Sequence, residues 1–474
     1  MKTLQHFIFT ILAIVVGKQA SMAAQATLQA HDDLIIERVV RNPLTINTLT
    51  ENDEAVGAQI FLYAASKPAF GSVEVRPGNV LVYTPSYSKF RGEDTFTYVI
   101  SSQPNGAGVV SEARVTIRNP YYIYSGTFSG AIVGEHGTHG ESGYFSMKVA
   151  PLGSFTAKLQ FAGYSHSFKG EFDSEGHYTA SIARNFPLPT LTLDIQFPLN
   201  GSSDINCVLT NGAQVTSFVV ERCNWSKLNP PSVKGRYTFA LPAPNALPRT
   251  PQGNGYGILT VSVDGTVSIL GHTGDNRGFT SSSKLSDESI APLYASLYSN
   301  SGSIFGNVTL NKVAPDRATL SANLNWSKPS TPKSKFFPKG FFLNVVGRGG
   351  SYIEPEPNSG VLTTAATQSF NSSFTVSSAI FRVPKTERAF LGNRPDSGKY
   401  VMLFDNTKRL KASLTVSPRT GLFSGYFFDV RTQKKYNMGG AFLQGENTAV
   451  GLWSSSTRTG KVVILPDSLP DTVQ

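Results

Sequence analysis

The 474-residue sequence predicts an all-β protein, with a β-sandwich followed by repeated antiparallel β-meander units that close into barrels or sandwiches. Three observations favour this class. The chain contains 43 Gly and 28 Pro, residues that punctuate short strands with turns. Apolar and polar residues alternate over short stretches, and no stretch has the period of an amphipathic helix. Charged residues make up 16% of the chain, which is low for a helical protein.

The first 24 residues have the order of a secretory signal peptide. Lys2 precedes an apolar run over residues 7–16, and small residues follow as far as Ala24. Because a membrane-spanning helix needs roughly 20 apolar residues, we expect cleavage near Ala23 or Ala24, with an uncleaved anchor as the alternative. We expect no transmembrane segment in the mature chain. The sequence therefore predicts export, to the periplasm, the cell surface or the extracellular medium.

The length of the mature chain predicts several domains, because single cores stop growing near ~250 to 300 residues. We expect the β-sandwich over residues 25–119 and two β-meander units over 120–232 and 233–346. A partial third unit over 347–466 completes the C-terminal lobe, and residues 467–474 form a polar tail.

Charge is distributed unevenly along the chain. Residues 25–119 contain 8 basic and 10 acidic residues, whereas the rest of the mature chain contains 32 basic and 22 acidic residues, a surplus of +10. A basic β surface attracts anionic partners, which for an exported protein are anionic polysaccharide or other cell-surface components and not intracellular nucleic acid. Solubility alone is the alternative explanation.

Cys207 and Cys223 are the only cysteines, too few for a disulfide framework or a thiolate metal cluster. Export permits them to form one disulfide bond. Two separate buried thiols are an equally open alternative.

The segment from Asp32 to Ile117 reads as short strands separated by turns. Phe96 and Tyr98, for example, alternate with Thr95 and Thr97, so that one face can be buried and the other wetted. Four ordered blocks then carry a resemblance, at residues 70–73 (FGSV), 83–85 (YTP), 90–98 (FRGEDTFTY) and 113–117 (ARVTI). They resemble the bacterial Ig-like, cadherin-like repeat of large surface proteins. The resemblance implies an extracellular β-sandwich that acts as an adhesive or spacer module.

Some members of that family bind calcium, and the resemblance implies where its ligands would lie in this sequence. The positions are Asp32 and Asp33 at the start of the module, Asn52 and Asp53 in the first long turn, and Asp94 in the Gly-Glu-Asp corner. Ca²⁺ takes six to eight oxygen ligands from such loops. The residues after Asp53 depart from the family pattern, and capping of turns by these side chains is the alternative.

Beyond Tyr121 the sequence repeats itself in two units of about 100 residues. Four matches indicate the repeat: residues 224–227 (NWSK) with 325–328, Gly143-Tyr144 and Gly153 with Gly255-Tyr256 and Gly265, residues 126–128 with 235–237, and Ile205, Cys207 and Leu209 with Ile304, Gly306 and Val308. A third echo pairs residues 416–423 with 149–155, with one residue inserted. This last unit is either incomplete or circularly arranged.

Residues 126–130 (GTFSG) and 421–427 (GLFSGYF) carry a second resemblance. They resemble an uncharacterised β-rich region that often follows Ig-like repeats in exported bacterial surface proteins. That resemblance implies a surface context and no particular activity.

Two segments are candidates for chemistry. Residues 135–141 (EHGTHGE) place His136 and His139 among carboxylates, a donor set that suits Zn²⁺ or another transition ion, although a solvated glycine-rich loop is the favoured interpretation. Residues 328–348 mix basic and aromatic residues, namely Lys333, Lys335, Lys339, Phe336, Phe337, Phe341 and Phe342. They either grip an anionic polymer or, as we favour, fill a core beneath a linker.

No catalytic motif is recognisable, since the sequence contains no Gly-x-Ser-x-Gly elbow, and the other mature histidines have no Asp or Glu at a consistent spacing, namely His31, His166, His177 and His272. We therefore expect a non-catalytic exported cell-surface or extracellular-matrix protein for adhesion, glycan binding or scaffolding. The alternative is a polysaccharide-active exported enzyme with an accessory Ig-like module, which requires a cleft with two carboxylates about 5 to 10 Å apart. A calcium-stiffened spacer is a third hypothesis.

Overall fold

Strands joined by tight turns account for nearly all of the structure, a computed structural model of the chain. It describes residues 26–38, 42–199, 204–243, 249–334, 336–357, 359–364, 370–378, 381, 383–393, 400–404, 410–430 and 433–467. These residues form 33 strands and two short 3₁₀ turns, His139–Glu141 and Gln444–Glu446, which confirms the all-β prediction. The predicted signal peptide lies outside the described residues, as does the predicted tail after Asp467.

The chain divides into two compact units, Met1–Asn119 and Pro120–Gln474. The first unit has nine strands, β1 Thr27–Gln29, β2 Asp33–Ile36, β3 Leu44–Ile46, β4 Glu54–Val56, β5 Phe61–Ala65, β6 Gly71–Arg76, β7 Val80–Pro85, β8 Glu93–Ser101 and β9 Val110–Arg118. They form a four-stranded sheet (β2-β9-β8-β5), a three-stranded sheet (β3-β7-β6) and a β1-β4 pair. Strand β2 runs parallel to β9.

The core of this unit follows the predicted alternation. Phe96 and Tyr98 on β8 are buried, whereas Thr95 before Phe96 is exposed and Thr97 between the two rings is half-buried. The Tyr83 ring on β7 stacks against Phe96 with ring centroids 6.2 Å apart. The two sheets thus share one aromatic core, and the predicted sandwich is confirmed.

The second unit contains three eight-stranded sheets in succession. The first consists of β10 Gly126–Val133, β11 Ser142–Val149, β12 Ser154–Phe161, β13 Tyr164–Glu171, β14 His177–Ile182, β15 Leu191–Gln196, β16 Ile205–Asn211 and β17 Gln214–Cys223. Its order is β13-β12-β11-β10-β17-β16-β15-β14. The two edge strands approach each other where Tyr178 Oη donates to the Lys169 carbonyl at 3.5 Å, so the sheet curls into the first barrel.

The second barrel repeats this topology. Its strands are β18 Gly235–Leu241, β19 Gly255–Val261, β20 Thr266–His272, β21 Gly278–Lys284, β22 Ile290–Leu297, β23 Gly302–Ala314, β24 Arg317–Lys328 and β25 Phe341–Ser351. The order is β21-β20-β19-β18-β25-β24-β23-β22. The edge strands meet where Tyr294 N donates to Ser281 Oγ at 3.2 Å.

The third barrel is closed by pairing of its first and last strands. It contains β26 Ser372–Ser377, β27 Lys385–Asn393, β28 Tyr400–Phe404, β29 Leu410–Ser417, β30 Leu422–Asp429, β31 Lys434–Leu443, β32 Thr448–Ser454 and β33 Thr459–Pro466. Eight strands complete it, so the expectation of a partial third unit is wrong. The boundary expected at residue 346 is also early, because β25 continues to Ser351.

Side chains fill the barrels, because alternate residues of every strand point inward. Each barrel encloses its own cluster of buried apolar residues. In the second barrel the space beside Phe239 and Leu259 is about 10 Å³, no more than one water molecule needs. The described residues of this barrel therefore form a packed interior at this position.

One hairpin recurs in all three barrels and explains the sequence echoes. Its turn contains a glycine with positive φ, Gly153 (φ +90°), Gly265 (φ +70°) or Gly421 (φ +71°). An aromatic ring covers each glycine, since an added Cβ would lie 2.7 Å from Tyr121, 2.5 Å from Trp225 and 2.5 Å from Tyr352, respectively. Each glycine carbonyl also accepts a hydrogen bond from a residue one strand further on, Phe172, Leu285 or Phe442.

The position of this hairpin shows how the third barrel relates to the others. It joins the second and third strands of the first two barrels but the fourth and fifth strands of the third. The third barrel is therefore circularly rearranged by two strands, which confirms that alternative and the match of residues 416–423 with 149–155.

Two of the predicted repeat matches are wrong. Trp225 follows the last strand of the first barrel, whereas Trp326 lies within β24, the seventh strand of the second. Ile205 lies on a seventh strand and Ile304 on a sixth. The same tetrapeptide serves two settings, because Trp225 Nε1 donates to the Ser286 carbonyl and Trp326 Nε1 donates to Tyr298 Oη, both at 3.1 Å. The matches through Gly126, Gly143 and Gly153 pair equivalent strands.

Within the second unit, neighbouring barrels are joined by buried contacts. Tyr144, Tyr294 and Phe305 form an apolar cluster between the first and second barrels. Ala240, Leu443 and Val450 do the same between the second and third. None of the helical segments in the described residues is long and apolar enough to cross a membrane.

Candidate functional site

A groove of about 1160 Å³ separates the first barrel from the second. Strands β11, β12 and β13 form one wall with their outward residues, and β20 and β21 form the other. The lining contains ten Ser or Thr residues, four Lys and Gln160, and no Asp or Glu among the residues that the structure describes. Because strand side chains alternate between the packed interior and the outside, the same strands that build the barrel cores present this polar surface.

Lysines and hydroxyls alternate across the wall formed by the first barrel. Strand pairing places Thr156 between Lys148 and Lys169 in one row across β11, β12 and β13. The adjacent row contains Lys158 between Ser146 and Ser167. Since neighbouring strands lie about 4.8 Å apart, the Cα atoms of Lys148 and Lys169 are separated by about 10 Å. The Cα atom of Lys158 lies diagonally about 7 to 8 Å from each.

The four lysines differ in their electrostatic environment. Lys284 on the second barrel is 3.1 Å from the carboxylate of Asp264 and also donates to Thr266 Oγ1 at 2.8 Å. Lys148, Lys158 and Lys169 are exposed and form no ion pair with an acidic side chain within the described part of the chain. Unneutralised positive charge therefore lies on the wall formed by the first barrel.

The floor of the groove is held by contacts between the barrels. Tyr144 and Tyr294 are each 6% exposed, and Tyr294 Oη accepts a hydrogen bond from Gly163 N across the barrel junction at 2.7 Å. Burial raises the pKa of Tyr294 to about 12, so its hydroxyl stays neutral at physiological pH. The groove thus has an uncharged floor. One of its walls carries exposed lysines, and the other is rich in hydroxyl groups.

This arrangement suits binding through charge and hydrogen bonds. Ammonium groups attract carboxylate or sulfate groups, and the serine and threonine hydroxyls both donate and accept hydrogen bonds, as sugar hydroxyls do. None of the described residues that line the groove is an Asp or Glu.

The predicted calcium ligands do not form one group. Asp33 and Asp53 meet beside Tyr98, whose hydroxyl donates to Asp53 Oδ1 at 2.8 Å. Asp53 Oδ1 also accepts His31 N at 2.8 Å, and Asn52 Nδ2 donates to the Asp32 carbonyl at 3.4 Å. These contacts bring together four of the five predicted positions.

Asp94 lies apart from the other predicted ligands. It precedes Tyr98 by four residues on β8, about 13 Å along the strand. Its buried carboxylate accepts hydrogen bonds from Ala69 N at 3.1 Å, Phe70 N at 2.9 Å and Tyr83 Oη at 2.9 Å. The assignment of Asp94 to the calcium site is corrected, because these bonds make it a structural anchor of the loop before β6.

The remaining four positions retain one feature of a cation site. Asp33 Oδ2 and Asp53 Oδ2 are buried and have no hydrogen-bond partner. Burial raises the pKa of Asp33 to about 6, and the neighbouring charges of Asp53 and Asp32 act in the same direction. No group of three or more His, Cys, Asp or Glu among the described residues is arranged to hold a metal ion, and calcium stays a prediction here.

The two loop histidines point to different partners. His136 Nδ1 lies 3.1 Å from Glu141 Oε1, whereas His139 Nε2 lies 3.0 Å from the Asn300 carbonyl in the second barrel. Burial alone would raise the pKa of Glu141, but the backbone N–H of His136 and the Gln214 side chain hold it below its ordinary value. The predicted transition-metal pair is therefore corrected, because each imidazole fixes a different local contact.

The structure bears on two further sequence alternatives. Phe341 packs against Trp326 with ring centroids 4.7 Å apart, and Phe337 packs against Phe341 at 5.7 Å, as the core-filling interpretation predicts, but Phe342 is 49% exposed and lies outside that core. Of the basic residues in that segment, Lys335 lies outside the described residues. Both cysteines are free and buried, and burial raises the pKa of Cys207 to about 12 and that of Cys223 to about 11.

The lysines of the groove do not stand out in the sequence. The basic surplus lies beyond residue 119, but a surplus of charge does not show which face of the fold carries it. The sequence pattern that could have identified them is one outward lysine on each of three successive strands, Lys148 on β11, Lys158 on β12 and Lys169 on β13. Only the strand register shows that they form a triangle.

Comparison with known proteins identifies the first unit and leaves the barrels unassigned. Residues 24–118 match the family described as the bacterial Ig domain, a module typical of surface proteins. This match confirms the resemblance stated for the N-terminal module. No curated protein matches the chain.

Two solved structures show a weak likeness. One is the isotype 1 transferrin binding protein B from serogroup B Neisseria meningitidis, with 8% identity, a TM-score of 0.17, and coverage of 86% of this chain and 88% of that one. The other is a mutant of AofleA from Arthrobotrys oligospora, with 10% identity, a TM-score of 0.12, and coverage of 93% and 99%. TM-scores this low carry no argument about fold or function.

Proposed function

We propose that the protein is an exported, non-catalytic cell-surface or extracellular-matrix protein that binds glycans in the groove between its first two barrels. The observation that carries the proposal is the lining of that groove, with ten hydroxyl side chains and four lysines over a volume of about 1160 Å³. Such a volume lies at the upper end of the roughly 300 to 1,000 Å³ of ordinary small-molecule pockets, so the groove has room for a segment of polymer.

The Ig-like unit suits a role in display. Its strands bury an aromatic core around Tyr83 and Phe96, and it forms a compact unit of its own. The match of residues 24–118 to a family typical of surface proteins supports placement at the cell surface. In this proposal the sandwich is the spacer and the barrels are the binding region.

The chemistry of the groove supports a role without catalysis. Most glycosidases cleave the bond with two carboxyl groups, one on either side of it, and none of the described residues that line the groove is an Asp or Glu. The two thiols are buried with raised pKa values, so they are poor nucleophiles at neutral pH. The polysaccharide-active alternative would need a different cleft.

A glycan array probed with the mature chain at low and at physiological salt tests the proposal. We expect retention on a subset of glycans, together with no release of reducing ends from the retained polysaccharides over hours. Absence of retention on every glycan at both ionic strengths would contradict glycan binding. Release of reducing ends by the purified chain would contradict the non-catalytic role.

A further inference from the structure

We propose that Lys148, Lys158 and Lys169 form the subsite that selects the ligand, and that the ligand is an acidic polysaccharide carrying repeated carboxylate or sulfate groups. This inference rests on the proposed glycan-binding function and names its ligand class. It concerns one wall of the groove, the outward face of β11, β12 and β13.

The geometry of the three lysines suits repeated anionic groups. They occupy the corners of a triangle with sides of about 7 to 10 Å, and Thr156 lies between two of the corners. Mutual repulsion of the ammonium groups favours extended side chains that point to separate anions. A linear polymer that carries an anionic group at intervals, with hydroxyls between, meets both the charges and the hydroxyls of this wall.

The two walls differ, and the difference predicts how the polymer lies. Lys284 on the opposite wall is already paired with Asp264. The outward residues beside it are hydroxyls, such as Ser268 and Ser282, which face each other across β20 and β21. We infer that the acidic edge of the polymer lies on the first barrel and that its uncharged hydroxyls lie on the second.

The aromatic residues of the groove argue against nucleic acid. Single-stranded nucleic acid is held largely by stacking of bases on accessible rings. Here Tyr144 and Tyr294 are each 6% exposed. The Phe168 ring packs against Phe145 and Phe155, with both centroid distances 6.3 Å. Among the described residues that line the groove there is no Arg, the residue that pairs with phosphate in a bidentate manner.

The test compares two triple variants of the mature chain that lose the same charge. The first is Lys148→Gln/Lys158→Gln/Lys169→Gln. The control is Lys227→Gln/Lys234→Gln/Lys411→Gln, which removes three exposed lysines from outside the groove. The probes are polygalacturonate for carboxylate, dextran sulfate for sulfate, uncharged dextran, and single-stranded poly-dT. Circular dichroism and melting temperature confirm that both variants are folded.

We expect the parent chain to bind at least one acidic polysaccharide about tenfold or more tightly than dextran and poly-dT at equal ionic strength. The groove variant should lose about tenfold or more of that affinity and show a weaker dependence on salt, while the control changes by less than about threefold. The polymer preferred by the parent chain identifies the anionic group.

Equal losses in the two variants would contradict the lysine subsite and leave glycan binding intact. Binding of poly-dT as tight as that of the acidic polysaccharides would overturn the ligand class. If the parent chain binds no glycan at all, the proposed function itself fails, and this result is distinct from the other two.

Discussion

At the scale of single residues, identical side chains have opposite roles according to their partners. Asp94 has hydrogen bonds to both carboxylate oxygens and anchors a loop, whereas Asp33 keeps one buried oxygen without a partner. The same contrast separates Lys284, which is paired with Asp264, from Lys158, which is available to a ligand. The local hydrogen-bond inventory thus separates structural charges from candidate binding charges.

Asp33 predicts a pH dependence of the stability of the sandwich. Its pKa is raised from 3.8 to about 6, so the stabilisation from its protonated form is complete below about 3.8 and is lost as the pH rises through about 6. We expect Asp33→Asn to raise the melting temperature of the sandwich at pH 7 without calcium and to leave it nearly unchanged at pH 4. Differential scanning calorimetry at the two pH values measures this.

Calcium supplies the control for that experiment. If Ca²⁺ binds beside Asp53, it raises the melting temperature of the parent at pH 7 and has no such effect on Asp33→Asn. If Asp33→Asn melts at a lower temperature than the parent in calcium-free buffer at pH 7, the charged Asp33 carboxylate does not destabilise the sandwich.

Removal of the Asp94 carboxylate should destabilise the sandwich, in contrast to Asp33→Asn. Asp94→Ala leaves Ala69 N, Phe70 N and Tyr83 Oη without their acceptor in a site that is 2% exposed. We expect a loss of about 2 to 4 kcal/mol in the unfolding free energy of the sandwich, with or without calcium. Urea denaturation measures this, and Glu74→Ala at an exposed position on β6 is the matched control. A loss that appears only in the presence of calcium would show that Asp94 is a ligand after all.

At the scale of elements, one hairpin and its covering ring organise the barrels. The turn requires glycine for two reasons. The backbone has positive φ, and a ring occupies the space where a Cβ would lie. Tyr121, Trp225 and Tyr352 cover the three turns, and each precedes or ends a barrel. The ring therefore ties the connecting segment to the sheet that it enters or leaves.

The ring over the Gly265 turn predicts the effect of Gly265→Ala. The alanine would meet a left-handed backbone and the Trp225 ring at 2.5 Å, so we expect the second barrel to lose about 2 to 4 kcal/mol of unfolding free energy. Gly78→Ala is the control, since its φ is +85° but nothing lies within 4 Å of the added Cβ, and it should lose only about 1 to 2 kcal/mol. Denaturant titration followed by circular dichroism measures the difference, because the three tryptophans all lie in the second unit and do not report on Gly78. Equal losses at the two positions would contradict the role of the ring.

At the scale of the whole molecule, the sequence predicted the class of fold and its strands better than its repeat and its site. The alternation of Phe96 and Tyr98 with polar neighbours predicts β8 correctly, because one face of a strand is buried. The glycines at 126, 143 and 153 locate equivalent strands because their backbone positions tolerate few other residues. The match of residues 224–227 with 325–328 does not pair equivalent strands, because four identical residues do not show on which strand they lie.

The groove could not be predicted because it is made by two barrels. Lys158 and Ser282 are more than 100 residues apart, and only the junction through Tyr144 and Tyr294 brings their strands to face each other. Each barrel alone would present an ordinary polar surface.

Hydrogen–deuterium exchange of the mature chain with and without the acidic polysaccharide that it binds tests the central claim most directly. We expect slower exchange on β11, β12 and β13 and, to a smaller degree, on β20 and β21, because the polymer would cover these strands. Exchange in the third barrel and in the Ig-like sandwich should stay unchanged. Protection confined to either of those regions, with none along β11 to β13, would contradict the assignment of the groove as the binding site.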